Sequence, residues 1–257
     1  MKKVYSRPKY LKDATMHYCP GCGHSIVTRL LAEIIEEMDV AGKAICIPPA
    51  GCAVLTYNYL DVDTTESAHG RGGAIATGIK RVLPDRLVFT YQGDGDLAAI
   101  GTAETIHAAN RGERFTTIFM NNAVYGMTGG QMAPTTILGQ KTTTTPFGRD
   151  IRRDGGPIKI SEMLAVLPGT VYIERTTVNK VSAIKNTKRA IKKAFKAQMD
   201  DLGFTLVEVL SPCPVNWKMK PIDACKWIDE VMSKDFPIGV IKDETKNIPK
   251  KEAAYAD

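Results

Sequence analysis

Between Gly93 and Asn122 the chain sets out two hard oxygen ligands, the carboxylate of Asp94 in Gly93-Asp94-Gly95 and the side-chain amide of Asn122 in Asn121-Asn122. Magnesium takes about six oxygens in an octahedron and commonly keeps substrate phosphates among them. Asp94, Asn122 and a backbone carbonyl just beyond, assigned to Val124, leave room in that shell for diphosphate oxygens and water. Directly after comes Tyr125-Gly126-Met127-Thr128-Gly129-Gly130-Gln131. Its three glycines permit positive φ and close approach of backbone amides, as a loop wrapped around phosphates requires. A Gly-Asp-Gly alone is an ordinary turn; the ordered span carries the argument. Asp96 is expected to cap the helix that follows, because Asp is favoured at an N-cap.

These ligands need elements that bring them together. Residues 86–92 are apolar and β-branched enough for a strand, 97–110 have helical composition closed by Gly112, and 115–120 form the next strand. That is one βαβ unit. A right-handed crossover lays the two strands parallel, so Asp94 and Asn122 face one crevice at the carboxyl ends, where open α/β sheets bind ligands. The expected fold class is α/β, a mostly parallel sheet flanked by helices.

A second constellation consists of cysteines. Cys19-Pro20-Gly21-Cys22, Cys52 in Ala50-Gly51-Cys52 and Cys213 in Ser211-Pro212-Cys213-Pro214 lie in turn-rich contexts, where loops are free to aim sulfur into a shared pocket. Cys46 and Cys225 lie in strand-like and helix-like stretches and are expected to be small buried hydrophobes. The first four sort as a ligand set. A Cys-x-x-Cys by itself fits a zinc pair, a redox disulfide or an iron–sulfur site equally. Cys22-Gly23-His24-Ser25 opens an amphipathic helix with Ile26, Leu30, Leu31, Ile34, Ile35 and Met38 at helical spacing. Its free amides favour an anion, with or without the His24 imidazole. His107, inside a helical stretch, is expected to pack or cap rather than react.

The whole pattern resembles the thiamine diphosphate-binding β subunit of the 2-oxoacid:ferredoxin oxidoreductases, in particular the short β chains of the branched-chain 2-oxoacid (2-oxoisovalerate) and 2-oxoglutarate enzymes. The resemblance spans roughly residues 15–240. It implies thiamine diphosphate held on Mg2+ by Asp94, Asn122 and Val124, and a [4Fe–4S] cluster on Cys19, Cys22, Cys52 and Cys213. It also places His69-Gly70-Arg71-Gly72-Gly73 beside the cofactor. The implied cofactor contacts are Gly23, His24, Gly51, Cys52, His69, Gly70, Arg71, Gly93, Asp94, Gly95, Asp96, Asn122, Val124, Gly126, Met127 and Thr128. Many relatives carry an acidic residue where this chain has His24. The implied reaction is oxidative decarboxylation of a 2-oxoacid to acyl-CoA and CO2, with electrons leaving through the cluster to ferredoxin. No catalytic side chain is assigned here, since the activating glutamate belongs to an α subunit. A small ferredoxin-like subunit, soluble ferredoxin, the 2-oxoacid and coenzyme A complete the implied partners, and the chain is expected to be inactive and poorly soluble alone. Ala53, Val54 and Leu55, apolar and next to Cys52, mildly favour a branched-chain tail, with core packing as the plain alternative; Arg71 or a residue on another subunit leaves 2-oxoglutarate open.

Composition sets outer bounds. The 257 residues show no linker rich in Gly, Ser or Pro, which suits one domain over 1–241 with a polar tail over 242–257 that wraps a partner or stays disordered. No apolar run suffices for membrane insertion, and Met1-Lys2-Lys3-Val4-Tyr5-Ser6-Arg7 lacks a signal-peptide core, so a cytoplasmic setting is expected. The net charge of +6 raises nucleic acid as a partner. Lys180, Lys185, Lys188, Arg189, Lys192, Lys193 and Lys196, however, share a helix with an apolar stripe of Val178, Val181, Ile184, Ile191, Ala194 and Phe195, without interleaved aromatic stacking. A solvated face, available to an acidic ferredoxin or subunit, explains that pattern better than nucleic acid. Two other readings compete: a dithiol oxidoreductase using Cys19 and Cys22, and a zinc-binding scaffold.

Overall fold

The computed structural model describes residues 6–248. Among them, strands β1 (Ala44–Ile47), β2 (Asp63–Thr64), β3 (Leu87–Gly93), β4 (Thr116–Asn121), β5 (Thr170–Thr177), β6 (Phe204–Leu210) and β7 (Gly239–Asp243) form one sheet ordered β2-β1-β3-β4-β6-β5-β7. All neighbours pair in parallel except β7, which runs antiparallel to β5. The helices are α1 (Gly23–Met38), α2 (Gly72–Val82), α3 (Thr102–Arg111), α4 (Ile151–Asp154), α5 (Ile160–Ala165), α6 (Val181–Met199), α7 (Pro214–Trp217), α8 (Pro221–Trp227) and α9 (Ser233–Asp235). The α/β class and mostly parallel sheet expected from the sequence are what the chain forms.

The central strands are buried on both faces, as parallel sheets are when helices cover them. On one face α1 and α6 lay Leu31, Ile34, Ile35, Ile191 and Phe195 against Phe89, Ile118, Met120, Val207 and Val209. On the other, α2, α3 and α5 enclose Val88, Phe119, Ile173 and Leu206 with Ala76, Ala108 and Leu164. Side-chain alternation along β4, Ile118 and Met120 to one side and Phe119 to the other, fixes its register between the two layers. A third cluster, with Val124, Ile137, Leu210, Cys213 and Trp217, lies beyond the strand ends.

Several local expectations are corrected. The helix expected over 97–110 is two pieces: a π-turn over Asp96–Ile100, then α3 after Gly101. Gly101 lies so close to Gly70 that an added Cβ would stand 2.7 Å from the Gly70 carbonyl oxygen, which interrupts a regular α-helix there. Asp96 is not an N-cap, since Gly95 holds that position and no side-chain cap bond is made. His107 is exposed on α3 and does not pack. Val181 is 71% exposed and lies off the apolar stripe of α6. The basic face of α6 is mostly paired within the chain: Lys188 with Glu33 and Glu37, Lys192 with Glu37, Arg189 with Glu174, Lys193 with Asp243 and Lys180 with Asp229. It is less a free landing surface than a seam joining α6 to α1 and β5. The boundary at 241/242 falls inside β7, and the Glu244 amide donates to the Val171 carbonyl, so the start of the expected tail belongs to the sheet. The rest of that tail, 249–257, lies outside the described residues. Among the described residues no helix is long and apolar enough to cross a membrane.

Candidate cofactor site

The carboxyl ends of β1, β3, β4 and β6 lie side by side, and the segments leaving them carry Cys52, Asp94, Asn122 and Cys213. A cavity of about 240 Å³ opens there. Of the expected cofactor contacts, His24, Gly51, Cys52, His69, Gly93, Asp94, Gly95, Asp96, Asn122, Val124, Gly126, Met127 and Thr128 line it. Gly23, Gly70 and Arg71 do not. Gly23 is packed behind the wall, where a Cβ would meet Ser211 Oγ at 2.5 Å. The Gly70 amide donates to Asp96 Oδ1 at 2.5 Å, and Arg71 is exposed and paired with Glu104. The segment 53–55 also misses the wall: Ala53 packs into the core and Val54 begins a 3-10 turn.

Asp94 follows β3 directly and is buried. The Thr135 hydroxyl donates to its Oδ2 at 2.7 Å and the Gly95 amide to its Oδ1 at 2.9 Å. Burial nevertheless pushes the carboxyl up to about 7, because these donors only partly replace lost water. The Asn122 amide presents one atom 2.7 Å from the Val124 carbonyl oxygen and 3.2 Å from Asp94 Oδ2. With the amide oxygen on that side, where the Val124 amide donates to it at 3.4 Å, three oxygens converge. Neighbouring oxygens in an octahedron around magnesium, each ~2.1 Å from the ion, stand about 3 Å apart, so the spacing suits that ion. With the amide turned over, Nδ2 donates to both oxygens. The donor set therefore fits a divalent cation and has a satisfied resting state without one.

Asp96 ties two loops together. Its carboxylate accepts from the Gly70 amide and from Gln92 Nε2, and His69 Nδ1 lies 2.9 Å from Oδ1. The His69-Gly70-Arg71 segment is thereby pinned to the Gly93-Asp94-Gly95 turn. Tyr125 lays its ring on Gly95, where a Cβ would come 2.0 Å from the ring, so only glycine fits. In the loop after it, Gly130 N donates to Tyr125 O and Tyr125 N to Gln131 O, which leaves Met127 and Thr128 exposed at the tip.

Cys52 lies on the adjoining wall, with Cys19, Cys22 and Cys213 behind it and within electrostatic reach. Cys52 feels the charge of Cys22, Cys213, Asp94 and Cys19, and burial ahead of these pushes its thiol up to about 12. Burial, with Cys213 and Cys19 adding to it, pushes Cys22 up to about 11, and burial raises Cys213 as well. Buried thiolates that repel one another call for a cationic partner. All six cysteines are free; Cys46 is fully buried in β1 and Cys225 half-buried in α8. Among the described residues no three His, Cys, Asp or Glu side chains converge closely enough to hold one metal ion. Cluster thiolates each bind a different iron and so stand farther apart than ligands of a single ion. The oxygen set draws only Asp94 from those residue types.

The two walls touch at Gly126, where an added Cβ would lie 3.1 Å from both Cys52 Sγ and Asn122 Nδ2. Asn216 Nδ2 reinforces the join, donating to the Gly126 carbonyl at 2.9 Å and to Cys213 Sγ at 3.3 Å. His24 does so from the other side: buried and held neutral, since burial lowers its imidazole to about 3, it places Nδ1 3.3 Å from Cys22 Sγ. His17 Nε2 meets the Cys52 carbonyl at 3.0 Å while Nδ1 meets the Tyr59 hydroxyl at 2.7 Å. Sequence reasoning missed Ala50, Met120 and Tyr125 in the wall, and Thr135, His17 and Asn216 behind it. Ala50 and Tyr125 stand inside the motifs quoted from the sequence but carry no role there. Thr135 and Asn216 arrive from loops whose paths have no periodicity to read.

Comparison with known proteins identifies the family. The domain family described as thiamine pyrophosphate enzyme, C-terminal TPP binding domain, matches residues 50–209. The 2-oxoglutarate synthase subunit KorB of Methanocaldococcus jannaschii is 38% identical over 231 residues, covering 86% of this chain and 81% of that one. The chain belongs to the 2-oxoacid:ferredoxin oxidoreductase family. Within it, the ketoisovalerate oxidoreductase subunit VorA of Methanothermobacter thermautotrophicus is 44% identical over 268 residues, covering 99% of this chain but 56% of that subunit. The chain thus spans little more than half the length of that relative. In structure it is similar to the 2-oxoglutarate:ferredoxin oxidoreductase from Magnetococcus marinus with 2-oxoglutarate, coenzyme A and succinyl-CoA bound, with a TM-score of 0.76 and 28% identity over 90% of this chain and 75% of that one.

Proposed function

We propose that this chain is the catalytic β subunit of a cytoplasmic, CoA-dependent 2-oxoacid:ferredoxin oxidoreductase that converts a branched-chain 2-oxoacid such as 2-oxoisovalerate to acyl-CoA and CO2. The observation that carries the reading is the approach of the Cys52 thiol to the oxygen donors on one cavity, joined at Gly126. Asp94, Asn122 and the Val124 carbonyl would hold Mg2+ on thiamine diphosphate, and Cys19, Cys22, Cys52 and Cys213 a [4Fe–4S] cluster. Bound thiamine diphosphate supplies an electron sink for decarboxylation, and the cluster a one-electron acceptor on the way to ferredoxin. The chain's own groups bind and orient: Asp94 and its neighbours fix the diphosphate end, the uncapped start of α1 offers amides to an anion, and Tyr125 and Met120 exclude water.

The wall itself favours an apolar substrate tail. It contains the carboxylates of Asp94 and Asp96 and no lysine or arginine, and Arg71 stands outside it. The lining offers no cationic side chain to a second substrate carboxylate. The 44% identity to a ketoisovalerate subunit, against 38% to a 2-oxoglutarate subunit, points the same way. A dithiol oxidoreductase would need a lowered thiol pKa, whereas Cys22 is pushed up. An α subunit contacting the aminopyrimidine, a small ferredoxin-like subunit and soluble ferredoxin would complete the enzyme. The test is anaerobic viologen reduction by the co-expressed complex with 2-oxoisovalerate, 2-oxoglutarate and pyruvate. Fastest CoA-dependent turnover on 2-oxoisovalerate is expected; preference for 2-oxoglutarate would overturn the substrate assignment, and no turnover on any 2-oxoacid the reaction.

A further inference from the structure

Behind the oxygen donors, and out of reach of the cavity, lies a buried charged network spanning three strands. Glu208 on β6 and Arg175 on β5 are each 1% exposed, and Asn121 on β4 and Ser161 on α5 are fully buried. Glu208 Oε2 accepts from Arg175 Nε at 2.8 Å and from Ser161 Oγ at 2.5 Å. Its other oxygen, Oε1, accepts from Asn121 Nδ2 at 2.7 Å. Arg175 is further paired with Glu162. Stability is a weak reason for such a network, because a buried ion pair is often no better than well-packed apolar residues of the same volume.

What the network does is settle the Asn121 amide. An ionised carboxylate only accepts, so it takes the NH2 side of Asn121 and forces Oδ1 the other way. There Oδ1 accepts from the Ala123 amide at 3.1 Å. Ala123 has φ 57°, a left-handed conformation disfavoured for a residue with a Cβ, and it persists because it is held from both ends: Asn121 at its amide, and Thr136 Oγ1 on its carbonyl at 2.6 Å. Reversal of the chain at Ala123 is what returns the Val124 carbonyl to face Asn122 and Asp94. Of the adjacent asparagines, one amide is locked by a carboxylate and the other is left to turn with the cation.

Building on the magnesium–diphosphate reading above, we propose that Glu208, acting through Asn121 and the left-handed turn at Ala123, is a positioning residue for metal-dependent cofactor binding, although it touches neither metal nor cofactor. The experiment measures, in the co-expressed complex, the magnesium concentration at which thiamine diphosphate is half-retained, together with the unfolding temperature. Glu208→Met is expected to raise that concentration by roughly 10–100-fold, the range for groups that orient metal ligands. Glu208→Gln, whose single oxygen is claimed by Arg175 and Ser161, turns its NH2 toward Asn121 and is expected to raise that concentration in the same direction. Ser161→Ala removes a donor to the same carboxylate without touching Asn121, and should change only the unfolding temperature. If Glu208→Met does not fold, Asn121→Leu carries the same expectation as Glu208→Met. A folded Glu208→Met or Asn121→Leu complex with a wild-type magnesium requirement overturns the inference, as does an equal shift in Ser161→Ala. A wild-type complex that takes up no thiamine diphosphate at any magnesium concentration overturns the cofactor reading, and this inference with it.

Discussion

The two walls of the cavity are built differently. The oxygen wall is made of strand ends: Asp94 and Asn122 follow β3 and β4 directly, and parallel pairing of Gly93 with Met120 sets their separation before any side chain acts. Each donor is then held, Asp94 by Thr135 and the Gly95 amide, the turn at Ala123 by Asn121 and Thr136. The thiol wall is gathered from separate turns, and Cys19 remains exposed while Cys213 is buried. Backbone geometry prepares the first wall; the second is a set of thiols kept protonated by burial that a cluster would draw together as thiolates. Metal should therefore matter more to the order of the thiol wall than to that of the oxygen wall.

The largest expected effect separates the walls. Asp94→Ala removes the charged oxygen ligand and should lower thiamine diphosphate retention more than roughly 100-fold while iron content stays at the wild-type level, beyond the range for groups that merely orient ligands. Thiamine and iron assays on one purified sample check both halves. In the mirror experiment, Ser in place of Cys19, Cys22, Cys52 or Cys213 should remove most of the iron, and Ser in place of Cys46 or Cys225 should not. Iron lost with Cys46→Ser and kept with Cys213→Ser would break the partition.

Gly126→Ala probes the seam. Its Cβ would press on Cys52 Sγ and Asn122 together, so a partial loss of both iron and cofactor, on the order of tenfold in cofactor affinity, is expected from a shift of a few tenths of an ångström. Thr135→Val takes one hydrogen bond from the buried Asp94 and should weaken metal-dependent binding by about 1–3 kcal/mol with no effect on iron.

The remaining contrast is in pH. Asp94 titrates near 7 in the fold against a reference value of 3.8, so the metal-free fold favours its neutral form. That contribution to stability is complete below about 4 and is lost as pH rises through about 7. His24 acts in the opposite sense: its folded value near 3 lies below 6.5, so its contribution is present above 6.5 and lost as pH falls toward 3. Denaturation of metal-free wild type and Asp94→Asn across this range isolates the carboxylate. The difference should turn against wild type as pH rises to 7; a flat difference would show that Asp94 is not desolvated.

The same contrast explains what the sequence disclosed. The span from Gly93 to Asn122 was legible because strand, helix and strand follow in order and the donors sit at the strand ends, so topology alone predicts their meeting. The cysteines could be sorted by their turn contexts, but Cys-x-x-Cys left zinc, disulfide and iron–sulfur open until the family resemblance chose among them. Asp96 was misplaced as a cap because the π-turn and the clasp on Gly70 depend on the close Gly70–Gly101 approach, which no local pattern announces. Thr135, Asn216 and the Glu208 network were invisible for the same reason: each acts through side-chain hydrogen bonds across a long sequence separation.

That the two walls form one redox centre is tested most directly by adding 2-oxoisovalerate and coenzyme A to the anaerobic co-expressed complex, without ferredoxin, and following the visible absorbance of the iron–sulfur cluster. Bleaching in wild type, and none in Asp94→Ala complex that retains its iron, is the predicted result. Bleaching that survives Asp94→Ala, or a wild-type complex whose spectrum does not respond to any 2-oxoacid, would contradict it.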